Sequence, residues 1–254
     1  MRVLLTNDDG IFADGLQELS KAIQKIAAVY VVAPDRERSA VGHAITMHHP
    51  LRAERVKLFH NPNLPAWAVN GTPSDCVKLA IEAILPDRPD MVISGINRGA
   101  NLGTDVLYSG TVSAAIEAVL SGIPSIAVSL MEAEDPDYRI AAEFAAKLIR
   151  QVSEKGLPPD TLLNVNVPCL TRNQLEGVEI TRLGMTRYNN EFEQRVDPRG
   201  RSYYWMVGEV IELDEGSGSD LSAVREKKIS ITPIHFDFTN YNLIQKLKNW
   251  SIDL

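Results

Sequence analysis

Two hydrophobic periods alternate along the first 170 residues, and that alternation constrains the fold more than any other feature. Arg2 to Thr6 reads as a buried strand, and Asp14 to Ala27 follows with Leu16, Leu19, Ile23 and Ile26 at helical spacing. Val29 to Pro34, Asp90 to Gly95, Ile123 to Leu130 and Leu162 to Pro168 are further strand-like runs. Between them lie helical stripes. One opens at Thr72-Pro73, with proline suited to the first helical position, and carries Cys76, Leu79, Ala80 and Ala83. Others run through Val112, Ala115, Ile116 and Val119, and through Ala141, Phe144, Ala145, Leu148 and Val152. Strands alternating with amphipathic helices predict βαβ units and an α/β fold with a doubly wound, mostly parallel sheet.

Past Val178 the helical period disappears. Two polar, aromatic-bearing runs flank the turn Asp197-Pro198-Arg199-Gly200, which predicts an extended β-hairpin arm. A lone hairpin is marginal in water, so the arm is expected to pack on its own body or on another subunit. Asp214 to Asp220 reads as a flexible loop and Ile229 to Ile234 as a last strand. Thr239 is the expected cap of a terminal helix holding Leu243, Ile244 and Leu247. The organisation expected is a Rossmann-like core over 1–177 joined to 178–254, which supplies the arm, a return strand and the C-terminal helix of one integrated unit.

Charge and hydropathy remove several function classes. A formal net charge of −7 offers no positive field to collect the phosphates of a nucleic-acid polymer. No apolar run approaches the ~18 residues of a membrane span, and Val3 to Leu5 is too short for a signal-peptide core. Cys76 and Cys169 lie far apart without a CxxC, as expected of two buried, reduced thiols. The expectation is a cytoplasmic protein.

Chemistry gathers where strands end. Asp8 and Asp9 follow the first strand in "NDDG", a hairpin-turn signal were it not for the helical stripe after it. The pair therefore falls at the carboxyl end of a parallel strand, where α/β sheets bind ligands. Two carboxylates there are hard oxygen donors for Mg²⁺, Mn²⁺ or Ca²⁺. The alternative is a loop pair in which Asp8 bonds backbone amides and Asp9 faces water. The second strand leads into a long loop bearing Ser39. The third leads into "INRGANLGTDVLYSGT", with Asn97 and Asn101 among Gly95, Gly99 and Gly103: either a ligand loop or a turn-rich connection. Ser109-Gly110-Thr111 precedes a helix, an arrangement that serves as an ordinary N-cap or as an anion site. There is no P-loop and no Rossmann GxGxxG, and a metal beside a phosphate-sized pocket points to phosphoryl chemistry. His48-His49 lack partners at zinc spacing. His43 and His235 could shuttle protons or serve as hydrogen-bonded structural residues. Asp14 and Asp105 read as helix-start and loop-bonding residues, and Trp67, Tyr108 and Tyr188 as packing aromatics rather than a base pocket.

Together, "LLTNDDGIFADGL", "VVAPDRERSAVGHAIT", "VNGTPSDCV", "PDMVISGINRGANLGTDVLYSGTVSAAIEA" and "ISITPIHFDFTN" resemble the SurE survival proteins, metal-dependent nucleoside monophosphate phosphatases. The resemblance implies a Rossmann-like core with a swapped C-terminal arm, hence a homodimer or homotetramer. It implies one divalent cation per subunit, Mg²⁺ or Mn²⁺ ahead of Ca²⁺, held by Asp8, Asp9, Ser39 and Asn97. It also implies phosphate contacts near Asn101, Ser109, Gly110 and Thr111. The chain departs from the family at the long loop "DEGSGSDLSAV" and at Lys227-Lys228, both outside the metal motif. The expected activity is hydrolysis of nucleoside 5′- and 3′-monophosphates, with Asp8, Asp9 and Asn97 as catalytic residues and water as nucleophile. The alternatives are a short-chain exopolyphosphatase and a non-catalytic nucleotide-sensing dimer.

Overall fold

Strand and helix do alternate in the computed structural model, which describes residues 1–189, 191–208, 210–212 and 216–252. In chain order the elements are β1 (Arg2–Thr6), α1 (Asp14–Ile23), β2 (Ala28–Pro34), β3 (Ala53–Arg55), β4 (Ala66–Val69), α2 (Pro73–Leu79), β5 (Met91–Arg98), α3 (Gly110–Leu120), β6 (Ser125–Leu130), α4 (Arg139–Lys155) and β7 (Thr161–Val167). Then come β8 (Val178–Ile180), β9 (Thr186–Tyr188), β10 (Glu191–Val196), β11 (Ser202–Val207), β12 (Val210–Glu212), α5 (Asp220–Arg225), β13 (Ile229–His235) and α6 (Tyr241–Leu247).

Nine strands form one sheet in the order β3-β4-β2-β1-β5-β6-β7-β13-β8. The run from β4 to β7 is parallel, and β3 and β13 pair antiparallel with β4 and β7. Successive strand side chains point to opposite faces, and the core divides accordingly. Val3, Leu5, Val31 and Ile93 pack with α1 and α4, while Leu4, Val32 and Val92 pack with α2 and α3. The chain leaves β1 toward β2 on one side and returns to β5 on the other. The crevice between β1 and β5 is thus the topological switch point, where open α/β sheets bind ligands.

Some expectations shift. The first helix stops at Ile23 rather than Ala27, and α6 is capped by Asn240, whose side chain accepts from Leu243 N. Val178–Ile180 pairs with β13 in the main sheet instead of starting the arm. The arm itself is the β10–β11 hairpin with β9 and β12 paired at its base. Of the expected loop at 214–220, Asp214 and Glu215 lie outside the described residues. Ser219 already caps α5, an element absent from the sequence reading. Cys76 is buried and Cys169 half-buried, and both are free thiols. No described helix is long and apolar enough to cross a membrane.

Candidate active site

The loop after β1 is shaped by its own residues. Asn7 is fully buried, and its Nδ2 donates to Gly10 O at 2.9 Å while its Oδ1 accepts from Gly10 N at 3.2 Å. Gly10 has φ of +106°, and a Cβ there would stand 3.2 Å from the Arg36 carbonyl carbon, so only glycine closes this turn without strain. Two backbone bonds then lash the loop to the end of β2 and the segment after it: Ile11 N to Pro34 O and Arg38 N to Asp8 O, each 2.8 Å. Asp8 and Asp9 are held side by side, with the Ser39 loop drawn onto them.

Helix α3 arrives from the other side. Its first residue, Gly110, comes so close that a Cβ would lie 2.8 Å from Asp8 Cβ and 2.9 Å from Oδ2. Thr111 Oγ1 donates a short hydrogen bond to Asp8 Oδ1, and Ser109 caps the helix by accepting from Val112 N at 3.1 Å. The positive end of the helix dipole is therefore aimed at the carboxylates. Asp9 is the more open of the two, and its Oδ2 accepts from Arg98 N at 3.1 Å. Burial pushes both carboxyls up. Asp9 reaches about 7, with burial the larger cause and the neighbouring Asp8 charge the second. Asp8 rises through burial despite the bond from Thr111. The nearby guanidinium groups of Arg36 and Arg38 pair with Asp35.

Buried anionic oxygens held together are a setting for a cation, and the neighbouring donors fit one. Ser39 Oγ donates its proton to Glu37 Oε1 at 2.5 Å, which leaves its lone pairs for a metal. Asn97 Nδ2 donates to Gly99 O at 2.8 Å, which leaves the amide oxygen as its remaining ligand atom. Among the described residues no cluster of three or more His, Cys, Asp or Glu side chains could hold a metal. A cation would depend on two carboxylates plus neutral oxygens, a set suited to hard divalent ions.

Asn101 is tied inward. Its Nδ2 donates to Ser129 Oγ at 2.7 Å and its N to Asn166 Oδ1 at 2.8 Å. Its carbonyl accepts from both Asn164 and Asn166. One of the two Nδ2 protons and the backbone N–H are thus engaged within the protein, which fixes where Asn101 sits.

The description "Survival protein SurE" fits residues 3–190 of this sequence. The chain belongs to the SurE family. The 5′-nucleotidase SurE of Heliobacterium modesticaldum is 58% identical over 250 residues, spanning 98% of this chain and 92% of that protein. That of Alkaliphilus metalliredigens is 52% identical over 254 residues and covers both chains fully. The crystal structure of the SurE protein from Aquifex aeolicus matches with a TM-score of 0.85 at 39% identity, over 98% of each chain.

Within this SurE fold, three groups escaped the sequence reading. Asn7 shapes the aspartate loop, and Asn164 and Asn166 hold Asn101; a polar residue inside an apolar strand was the only signal for the latter two. Glu117, buried on α3, accepts from His43 Nε2 at 2.9 Å and Lys78 Nζ at 3.0 Å. Those bonds, His43 first, hold its carboxyl below the usual range. His43 and His235, far apart in sequence, line one apolar cavity of about 410 Å³ with Val106, Ile116 and Phe236. Trp67 is half-buried beneath Arg55, and Tyr108 is exposed just before Ser109. The Tyr188 side chain lies outside what is described. His48 and His49 are exposed loop residues ahead of β3.

Proposed function

We propose that this chain is a divalent-metal-dependent nucleotidase that hydrolyses nucleoside monophosphates to nucleoside and inorganic phosphate. One observation carries the reading: Asp8 and Asp9 are adjacent carboxylates, desolvated at the sheet's switch point and facing the N-terminus of α3. The naming of close relatives as 5′-nucleotidases supports the substrate class.

Asp8, Asp9, Ser39 and Asn97 would hold the cation, which supplies charge neutralisation at phosphoryl oxygens and acidifies a bound water. The chain's own residues do the rest. Ser109 and Gly110 receive the phosphoryl oxygens at the start of α3, where backbone amides and the Ser109 hydroxyl favour anions, while Thr111, whose hydroxyl proton goes to Asp8, orients that carboxylate beside them. Asp9, open on one edge, orients the attacking water. Hydrolysis forms a bond from water oxygen to phosphorus, breaks the bond to the sugar oxygen, and delivers a proton to that leaving oxygen. The loop with Asn101 sets the position of the 109–111 segment. Exposed Tyr204, Trp205 and Met206 on the arm support assembly with a second copy.

Phosphate release from nucleoside 5′- and 3′-monophosphates and from polyphosphate tests the reading, with Mg²⁺, Mn²⁺ or Ca²⁺, with chelator, and with Asp8→Asn. Chelation and Asp8→Asn are each expected to abolish turnover, with restoration by metal only in the unaltered protein. Activity that survives both refutes it, and preference for polyphosphate reassigns the substrate.

A further inference from the structure

Asp220 opens α5 with its side chain fully buried, and its carboxylate is shared by backbone amides from three places in the chain. Oδ2 accepts from Gly103 N at 2.9 Å, while Oδ1 accepts from Gly184 N at 2.7 Å and from Leu221 N at 2.9 Å. The Leu221 bond is ordinary for a residue at a helix start. The other two are not, because they reach 117 and 36 residues along the sequence. Amide bonds to an ionised carboxylate are roughly twice as strong as neutral ones, and a buried carboxylate needs them to be tolerated.

What Asp220 grips is the connection from β5 to α3. Gly103 has φ of +51°, and a Cβ there would sit 3.0 Å from Gly184 O, so two glycines meet directly under the carboxylate. Next to it, Thr104 Oγ1 donates to Thr186 O at 2.8 Å and lies 2.5 Å from Thr186 Oγ1. The connection is thus fastened on one side by Ser129, Asn164 and Asn166 and on the other by residues at the base of the arm. Only four residues separate Thr104 from Ser109.

We propose that Asp220 is a positioning residue for the phosphate side of the site, acting through the amide of Gly103 to fix the run from Asn101 to Thr111. The inference rests on the phosphate role proposed above for that run. It adds that the base of the arm, and not the parallel sheet alone, sets where the phosphate sits.

The test uses the full chain loaded with Mn²⁺, unaltered and as Asp220→Asn, with Thr104→Val as a second variant that leaves the buried carboxylate in place. The readouts are kcat and KM for AMP, competition by inorganic phosphate, Mn²⁺ affinity, and hydrogen exchange over 101–108. Asp220→Asn is expected to raise KM and weaken phosphate competition by about 10-fold or more, since sub-ångström misplacement of a binding segment has effects of that order. Exchange over 101–108 should accelerate while Mn²⁺ affinity holds, and Thr104→Val should shift the same quantities less. Unchanged phosphate competition in Asp220→Asn overturns the inference, as does Mn²⁺ affinity falling in step with it. If Asp220→Asn does not fold, unchanged phosphate competition in Thr104→Val overturns it. An unaltered protein that releases no phosphate from AMP refutes the nucleotidase reading alone, and hydrogen exchange over 101–108, with and without inorganic phosphate, still decides the role of Asp220.

Discussion

Replacing Asp9 by asparagine should make the metal-free protein more stable, although it removes a group assigned to the site. The folded protein holds the Asp9 proton up to about pH 7, whereas an unfolded chain releases it near the ordinary aspartate value of 3.8. Below both values the two states carry the same proton and the group contributes nothing. Between them folding takes up a proton, so stability falls as pH rises, by about 1.4 kcal/mol per unit. Across the roughly three-unit window this reaches a ceiling of about 4 kcal/mol, and contact of Asp9 with water trims it toward about 2 kcal/mol. Asparagine keeps an oxygen to accept from Arg98 N and carries no charge. In chelator at pH 8, Asp9→Asn should therefore melt about 4–8 °C above the unaltered protein. The gap should shrink steadily toward pH 4.5. Saturating Mn²⁺ should reverse the order, because a ligand at about 100 times its Kd adds about 2.7 kcal/mol to the form that binds it. Thermal melts in buffers from pH 4.5 to 8.5, with chelator and with Mn²⁺, measure both effects. A gap that is absent or negative at pH 8, or that does not change with pH, refutes the argument.

Two further outcomes follow from the site's packing. Gly110→Ala places a methyl 2.8 Å from Asp8 Cβ, so overpacking should cost about 1–3 kcal/mol in denaturant unfolding; an alanine variant as stable and active as the parent would show that α3 does not abut Asp8. Glu117→Gln removes the charge that holds His43 and Lys78, and should cost about 1–2 kcal/mol at pH 7. Because the Glu117 carboxyl is held low, its contribution is complete above the ordinary glutamate range and disappears as pH falls through its lowered value. Melts of the two proteins should therefore converge on acidification, and a constant difference would count against the pairing.

The parallel sheet was legible because each of its central strands has a long apolar run, and each helix between them a repeating stripe. Short elements were not. Ala66–Val69 spans four residues, and its pairing with β2 on one side and β3 on the other makes it a strand. Asp220–Arg225 spans six residues and takes its place from bonds to distant glycines. Asp8, Asp9, Ser39 and Asn97 each carry an oxygen donor in a loop after a strand, which one residue at a time can show, but it was the family resemblance that joined them into one set. Glu117 did not, since its partner His43 lies 74 residues away and a glutamate within a helix normally faces water. Asn7 sat in plain view beside the aspartates, yet its work is to close a turn, which depends on geometry that the letters do not carry.

The base of the arm has one more consequence. Arg182 N donates to Gly218 O and Asp220 N donates to Arg182 O, so the chain leaves and re-enters the body through a single hydrogen-bonded neck. The strands on either side of that neck, β8 and β13, are already paired in the main sheet. Gly184 and Thr186 still bond to the body, through Asp220 and Thr104, but the β10–β11 hairpin beyond β9 and β12 is an excursion whose length the body does not sense. Closing such an excursion becomes harder by only about 0.6 kcal/mol for each doubling of its length. Descendants of this chain can therefore trim, extend or rewrite the hairpin while the register of the sheet and the spacing of the aspartates stay as they are.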